Sequence, residues 1–185
     1  VFCKWHDCVC GWRHYGLAMM QRFVVMGVSG CGKSSIGAGF AAGIGAHFVD
    51  GDDLHPATNI AKMAAGIPLD DADRAPWLTL VGQTFADQDL PLVIGCSALK
   101  RSYRDSIRKH AGGPVAFLHL DGTRDVIAGR MAARAGHFMP AALLDSQFAA
   151  LEPPGPDEAA VRVDIDRFPD AIVAELVAHF RKDTQ

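Results

Sequence analysis

The stretch from Gly27 to Ser34, GVSGCGKS, has residue types and a spacing that can bind a chain of phosphates. It matches the pattern G-x-x-x-x-G-K-[ST] at every specified position. Its glycines let the backbone turn sharply and aim several N–H groups at one anion, and the helix that follows adds the positive end of its dipole. Lys33 can reach the β- and γ-phosphates as a catalytic residue, and the Ser34 hydroxyl can bind a magnesium ion. The expected ATP contacts are Gly27, Val28, Ser29, Gly30, Cys31, Gly32, Lys33, Ser34 and Ser35.

A run of acidic residues, DGDDLHP, extends from Asp50 to Pro56 directly after the second predicted strand. Ligands bind at the carboxyl ends of the strands in open parallel sheets, so we expect this run to face the phosphate-binding loop. Asp52 is the candidate for orienting an acceptor hydroxyl and taking its proton, which gives it both a catalytic and a substrate-binding role. A helix-capping or solvated acid is the alternative interpretation.

Arg74 ends a second acidic cluster, LDDADR, and is the candidate clamp for a carboxylate or phosphoryl group, since a guanidinium binds either one bidentately. A surface ion pair with Asp70 or Asp71 is the alternative. The other candidate substrate ligands could donate to substrate oxygens or line the acceptor site: His55, Ser97, Lys100 and His137. Each of the two histidines could equally be structural.

Arg130 and Arg134 are four residues apart, so they share one face of a predicted helix that ends before Gly136. Small-molecule kinases use mobile arginines to neutralise the transferring phosphoryl group. We expect both residues to act catalytically from a lid over about residues 130–142, although the spacing does not tell which of them contacts phosphate. A solvated basic face is the alternative.

Short apolar runs alternate with helical patterns over residues 21–185, which predicts one α/β domain with the three-layer P-loop NTPase fold. The expected architecture is a five-stranded parallel sheet with helices on both faces. The predicted strands cover residues 22–26, 46–50, 90–96, 115–120 and 161–165. A helix is predicted to begin at Pro76, with a core face formed by Trp77, Leu80, Val81, Thr84 and Phe85.

Composition bounds the function. The chain has 185 residues and a formal net charge of −3, which does not support a nucleic-acid-binding surface. No apolar run reaches the roughly 18 residues of a membrane span. The five cysteines form no disulfide framework, and a phosphate-binding loop belongs where ATP is, so the expected compartment is the reducing cytoplasm.

Residues 1–20 have neither a helical nor a strand period. We expect them to be a poorly ordered N-terminal appendage, with Met19 or Met20 as the working start. A zinc site is the alternative, because Cys8, Cys10 and the neighbouring histidines supply enough ligands.

Three classes of phosphate-loop protein compete. A GTPase switch needs an N-K-x-D guanine reader, and the single asparagine, Asn59, lies outside such a motif. A motor ATPase needs an acid at the end of the central strand, which here ends in Cys96 and Ser97. A small-molecule kinase needs an anion cradle, an acid near the acceptor and arginines for the phosphoryl group, all of which are present. An ATP-binding regulatory module without acceptor turnover is the alternative from another class.

Several blocks that occur in order along the chain together resemble the gluconate kinase family. They are GVSGCGKS from Gly27, DGDDLHP from Asp50, NIAKM from Asn59, DRAPWL from Asp73, CSALK from Cys96, GHF from Gly136 and SQFAALE from Ser146. The resemblance covers residue 22 onward and implies ATP-dependent phosphorylation of D-gluconate to 6-phospho-D-gluconate. It also implies a nucleoside-monophosphate-kinase-like fold and often a homodimer. Another small hydroxy acid such as shikimate is the alternative acceptor.

Cys31 departs from this resemblance, because its loop position is usually taken by a small residue such as serine. We expect it to place an oxidisable thiol beside the nucleotide.

Overall fold

The computed structural model describes residues 20–132 and 141–181, which form a five-stranded sheet in the order β2-β3-β1-β4-β5. All four strand pairings are parallel. The strands are β1 (Arg22–Met26), β2 (His47–Asp50), β3 (Leu92–Gly95), β4 (Ala116–Asp121) and β5 (Ala160–Asp164). Each one overlaps a predicted strand. β1, β3 and β4 are buried along almost their whole length, as continuous apolar runs predict, whereas the edge strands β2 and β5 have exposed positions.

Seven helices are described. They are α1 (Lys33–Ile44), α2 (Ala57–Ala64), α3 (Asp71–Asp87), α4 (Arg101–His110), α5 (Arg124–Ala132), α6 (Ala141–Ala150) and α7 (Pro169–Arg181). Helices α1, α5, α6 and α7 contribute to the hydrophobic core on one face of the sheet. Helices α3 and α4 form the core on the other face. The predicted three-layer α/β fold is therefore confirmed.

Helix α3 begins five residues before the predicted start at Pro76. Asp70 and Asp73 form a reciprocal capping box, in which each side chain accepts a hydrogen bond from the other residue's backbone N–H. This box satisfies two N–H groups at the helix start, so the first turn forms ahead of the proline. The prediction of a start at Pro76 was wrong, because the capping box and not the proline sets the beginning of the helix.

The core face of α3 is also displaced from the prediction. Trp77, Val81 and Phe85 are buried as predicted, and Leu78 is buried with them. Leu80 is 41% exposed, so its assignment to the core was wrong. The buried stripe is centred on the Leu78 side of the helix, which turns Leu80 towards solvent.

Two predictions fall wholly or partly outside the described residues. The appendage was predicted over residues 1–20, of which only Met20 is described. The predicted lid over about residues 130–142 includes residues 133–140, which are not described. Arg134 and His137 belong to that second range. Across the part of the chain that is described, no helix combines the length and apolar character needed to cross a membrane.

Candidate active site

The phosphate-binding loop joins β1 to α1 and has the backbone conformation that its glycines permit. Gly27, Gly30 and Gly32 have φ values of +142°, +81° and +102°, which residues with a side chain rarely adopt. A Cβ atom on Gly30 would lie only 2.6 Å from Met131 Cγ. Gly32 is the N-cap of α1 and has no side chain to cap the helix, so the first N–H groups of α1 can bind an anion.

Lys33 and Ser34 stand at the first two positions of α1. The Lys33 ammonium donates to the carbonyl oxygens of Gly27 and Val28, both at 3.3 Å, so it lies over the first half of the loop. The Ser34 hydroxyl donates to Asp50 Oδ2 at 2.8 Å. Hydroxyl and carboxylate oxygens suit Mg²⁺, which phosphoryl-transfer proteins bind through few protein oxygens together with the substrate phosphates. The pair of Ser34 and Asp50 therefore fits the predicted metal.

An open cleft of about 530 Å³ lies beside the second half of the loop. Its walls are Gly30, Gly32, Ser35, Ile36, Arg130, Asp166, Arg167, Phe168 and Pro169. Phe168 is 86% exposed, and an exposed aromatic ring next to a guanidinium can stack on a planar base. The cleft therefore offers an aromatic ring and a guanidinium group that can hold the planar base of a nucleotide whose phosphates lie in the loop.

Arg130 is part of the wall of this cleft. Its guanidinium donates to the carbonyl oxygen of Cys31 at 3.3 Å, to that of Arg167 at 3.0 Å, and to that of Ile165. These three bonds tie α5 to the phosphate-binding loop and to the segment before α7. A contact between Arg130 and the transferring phosphoryl group stays a prediction.

The segment Ser97–Lys100 between β3 and α4, here called the acceptor loop, lies against the start of the phosphate-binding loop. The Gly27 N–H donates to the Ser97 carbonyl at 3.2 Å. Ala98 has a φ of +43°, a left-handed conformation that is uncommon for a residue with a Cβ. Such strain persists only where the surrounding structure fixes it, and it is most frequent at functional sites.

The buried side chain of Arg104 holds the acceptor loop in place through hydrogen bonds to its backbone. This fully buried arginine donates from Nη1 to the carbonyl oxygens of Ala98 and Leu99, both at 3.1 Å, and to that of Glu152 at 3.0 Å. Its Nε and Nη2 atoms donate to the two carboxylate oxygens of Glu158 at 2.7 Å. Burial acts to raise the pKa of Glu158, but hydrogen bonds from Arg104 and Arg108 outweigh it and lower that pKa to about 2.

Four side chains form an acceptor cluster above this loop: Asp71, Arg74, Lys100 and Tyr103. Lys100 Nζ donates to Asp71 Oδ1 at 3.0 Å and to Oδ2 at 2.7 Å, and the Tyr103 hydroxyl also donates to Oδ1. Arg74 Nη1 lies 3.6 Å from Asp71 Oδ1 and donates to the Tyr103 oxygen at 3.4 Å. Hydrogen bonds from Lys100 and Tyr103 lower the pKa of Asp71, and its carboxylate raises the pKa of Lys100. The ion pair of Arg74 with Asp71, which was the alternative to a substrate clamp, is thus present, and Arg74 and Lys100 converge on one carboxylate.

His55 and Asp52 lie between the hydrogen-bonded pair of Ser34 and Asp50 and helix α3. The His55 ring stacks on Trp77 with centroids 4.1 Å apart, and Nδ1 accepts a hydrogen bond from the Asn59 amide at 3.3 Å. Because an amide NH₂ can only donate, this bond assigns the proton to Nε2, which is then a donor. Burial lowers the pKa of His55, which favours the neutral ring. Asp52 is exposed in the 3₁₀ turn Gly51–Leu54, and its backbone N–H is capped by Asp50 at 3.2 Å.

Cys31 does not have the reactive character that its position suggested. Its side chain is fully buried, and burial raises the pKa of the thiol. A buried, protonated thiol is a poor nucleophile and a poor target for oxidants. The expectation of an oxidisable thiol beside the nucleotide was therefore wrong, because it ignored the packing of the loop against the core.

No protein-family model matches the chain, but individual relatives match it over most of its length. A gluconokinase from Gluconobacter oxydans (strain 621H) is 47% identical over 171 residues, which are 90% of this chain and 96% of the relative. A thermosensitive gluconokinase from Escherichia coli (strain K12) is 52% identical over 152 residues, which are 79% of this chain and 80% of the relative. The chain belongs to the gluconokinase family.

Solved structures agree with this membership. The crystal structure of a gluconokinase from Sinorhizobium meliloti 1021 has a TM-score of 0.80 and 48% identity, over 87% of this chain and 91% of that one. A shikimate kinase from Bacteroides thetaiotaomicron has a TM-score of 0.60 at 17% identity, over 87% of this chain and 96% of that one. That second likeness shows the shared fold alone.

Sequence patterns did not indicate the roles of several residues at this candidate site. Asp50 was seen only as the first acid of its run, although its position at the very end of β2 could have indicated a partner for Ser34. Tyr103 and Arg104 were given no role, because nothing in their local spacing marks them. Gln147 hydrogen-bonds Ser29 in the phosphate-binding loop, and only the block SQFAALE pointed to it.

Proposed function

We propose that the protein transfers the γ-phosphoryl group of ATP to D-gluconate in a direct in-line reaction that yields 6-phospho-D-gluconate. The observation that supports this proposal most directly is the hydrogen bond from the Gly27 N–H to the Ser97 carbonyl, because it joins the phosphate-binding loop to the loop that carries Lys100. The relatives named gluconokinase support the choice of acceptor.

The nucleotide half of the site is Gly27 to Ser35. The N–H groups of the loop and of the α1 terminus bind the phosphates, Lys33 neutralises charge on the β- and γ-phosphates, and the base lies in the cleft beside Arg130 and Phe168. Ser34, with Asp50 as its partner, would hold Mg²⁺. When bound, the ion neutralises charge that develops on the phosphate oxygens.

The acceptor half is formed by residues that match the chemistry of gluconate, a polyol with one carboxylate. Arg74 and Lys100 supply cations for the carboxylate, and Ser97 and His55 supply donors for hydroxyl oxygens. Asp52 orients the attacking hydroxyl and takes its proton, since its exposed carboxylate lies in the turn that follows Asp50. We further assign phosphoryl contacts to Arg130 and Arg134 and an acceptor contact to His137, as parts of a lid over about residues 130–142.

We also propose that the enzyme works in the cytoplasm, as a possible homodimer, with no nucleic-acid or membrane partner. Cys31 and Cys96 are both free thiols within the described residues, as expected in a reducing compartment. Residues 1–20 are proposed to be an appendage to the kinase domain at 21–185.

The test is ADP release, followed with a coupled assay, from ATP and Mg²⁺ with gluconate, shikimate and other sugar acids as acceptors. Gluconate should give the highest kcat/KM by at least tenfold. Turnover of another acid with none of gluconate would refute the proposed acceptor. ATP binding without stimulation by any acceptor would instead indicate a regulatory module.

A further inference from the structure

The side chain of Gln147 on α6 lies directly on the phosphate-binding loop. Its Oε1 atom accepts a hydrogen bond from the Ser29 N–H at 2.7 Å, and its Nε2 atom donates to the Ser29 hydroxyl at 3.1 Å. One carboxamide therefore satisfies both the backbone and the side chain of a single loop residue that is 118 positions away in the sequence. The phosphate-binding motif leaves position 29 unspecified, so this contact is additional to the motif.

Ser29 lies in the first half of the phosphate-binding loop, which does not contribute to the walls of the base cleft. The base cleft adjoins the second half of the loop, from Gly30 onward. The Lys33 ammonium, which serves the β- and γ-phosphates, lies over the carbonyls of Gly27 and Val28. Gly27 in turn contacts the acceptor loop at Ser97. Along the line from the base cleft to the acceptor loop, Gln147 therefore contacts the part of the phosphate-binding loop that is nearer the acceptor loop. This part is called the transfer end of the loop.

The rest of α6 and the residues after it hold this carboxamide in place. Leu144 is buried in the core, and Asp145 forms an ion pair with Arg124. Just beyond the helix, the Glu152 N–H donates to the Leu99 carbonyl at 2.9 Å, and a Glu152 carboxylate oxygen accepts from the Arg101 N–H at 2.7 Å. Helix α6 is thus attached to the phosphate-binding loop through Gln147, and the segment just after it is attached to the acceptor loop through Glu152.

We propose that Gln147 is a phosphoryl-contacting residue, whose Nε2 donates a hydrogen bond to an oxygen of the terminal phosphoryl group when a triphosphate is bound. Without nucleotide the same carboxamide is held by Ser29, which keeps it at the transfer end of the loop. This inference rests on the proposed function only in taking a nucleoside triphosphate as the donor. A neutral amide suits this place, because a carboxylate there would face the third phosphate and repel it.

Calorimetric binding of ADP and of a non-hydrolysable ATP analogue, each with Mg²⁺, to the wild type and to Gln147→Glu and Gln147→Ala tests the proposal. For Gln147→Glu we expect at least a tenfold weaker affinity for the triphosphate analogue and less than a threefold change for ADP. Gln147→Ala should lower kcat at least tenfold, with KM for the acceptor within twofold. Gln83→Glu, the same change on the exposed face of α3, should leave both affinities unaltered.

Equal weakening of ADP and triphosphate binding, or no weakening of either, would show that Gln147 only attaches α6 to the loop. If Gln147→Glu does not fold, as judged by its thermal melt, the kcat and KM of Gln147→Ala decide the question. The binding measurements need no acceptor, so they remain interpretable even if gluconate is not the substrate.

Discussion

The Ser34 hydroxyl donates a 2.8 Å hydrogen bond to Asp50 Oδ2, which joins the end of the phosphate-binding loop to the end of β2. The other oxygen of Asp50 caps the 3₁₀ turn through the Asp52 N–H. One carboxylate therefore sets the position of both the predicted metal ligand and the predicted acceptor base. The strand order explains the contact, because β2 and β1 flank β3 and end at the same edge of the sheet.

Replacement of Asp50 by Asn should lower kcat/KM for ATP at least tenfold and raise the Mg²⁺ concentration needed for half-maximal rate. The amide keeps the shape but removes the charge that orients Ser34 and helps to hold the metal. Steady-state rates over a Mg²⁺ titration measure both effects. Asp53→Asn is the matched control, since Asp53 is exposed in the same turn and should keep wild-type kinetics. An unchanged Mg²⁺ dependence in Asp50→Asn would contradict the assignment.

Replacement of Lys100 by Met should raise KM for gluconate at least tenfold and leave KM for ATP within twofold. Lys100 is one of two cations in the acceptor cluster, and its loss leaves Arg74 alone to balance Asp71 and a substrate carboxylate. Initial-rate kinetics with each substrate varied in turn separate the two constants. Lys109→Met makes the same change at an exposed position of α4 and should alter neither. A rise in KM for ATP as large as that for gluconate would place Lys100 outside the acceptor site.

Local patterns predicted the strands, the phosphate-binding loop and the burial of Trp77. These features depend on periodicity and on a motif of eight adjacent residues, so neighbours in sequence determine them. The start of α3 could also have been predicted, because the Asp70–Asp73 capping box is a local signal.

The contacts that assemble the site are of a different kind. Gln147 meets Ser29 across 118 residues, and Arg104 meets Glu158 across 54. Such pairs depend on how α6 and the segment before β5 fold back onto the sheet, and no spacing in the sequence indicates them. The exposure of Leu80 has a similar origin, because helical periodicity identifies a stripe but not the exact rotation of the helix against its neighbours.

Replacement of Arg104 by Met should lower the free energy of unfolding by about 3–5 kcal/mol, since it removes the bidentate partner of the buried Glu158, which keeps only Arg108 and the Gly155 N–H. It also leaves the carbonyls of Ala98 and Leu99 without a donor, so the strained acceptor loop should loosen. Urea unfolding measures the first effect, and KM for gluconate reports the second.

Arg101→Met removes the exposed ion pair with Asp157 and is the matched control, with an expected loss of at most about 1 kcal/mol. Arg104→Lys should not restore stability, because one ammonium cannot serve two carboxylate oxygens and three carbonyls at once. Similar unfolding free energies for Arg104→Met and Arg101→Met would mean that the buried ion pair of Arg104 with Glu158 adds no stability.

His119 on β4 should make the protein less stable as pH falls from about 6.5 to 4. Its side chain is 1% exposed, and neither ring nitrogen has a hydrogen-bond partner among the described residues. Burial lowers the pKa of His119 from 6.5 to about 4, which the nearby Asp121 opposes and Arg162 and Arg104 reinforce. Between pH 6.5 and pH 4 the unfolded chain therefore binds a proton at His119 and the folded chain does not. The contribution of the neutral His119 to the free energy of unfolding is complete above pH 6.5 and is lost progressively below it.

The size of this effect follows from the shift. At pH 5 it amounts to about 2 kcal/mol relative to pH 7, because each pKa unit corresponds to about 1.4 kcal/mol. Urea unfolding of the wild type and of His119→Leu at both pH values isolates it, since the leucine variant should lose about 2 kcal/mol less on acidification. Glu158, with a pKa of about 2, loses its own contribution only at lower pH and is common to both proteins. Parallel pH dependences in the two proteins would show that His119 is hydrated or partnered in solution and does not sense pH through burial.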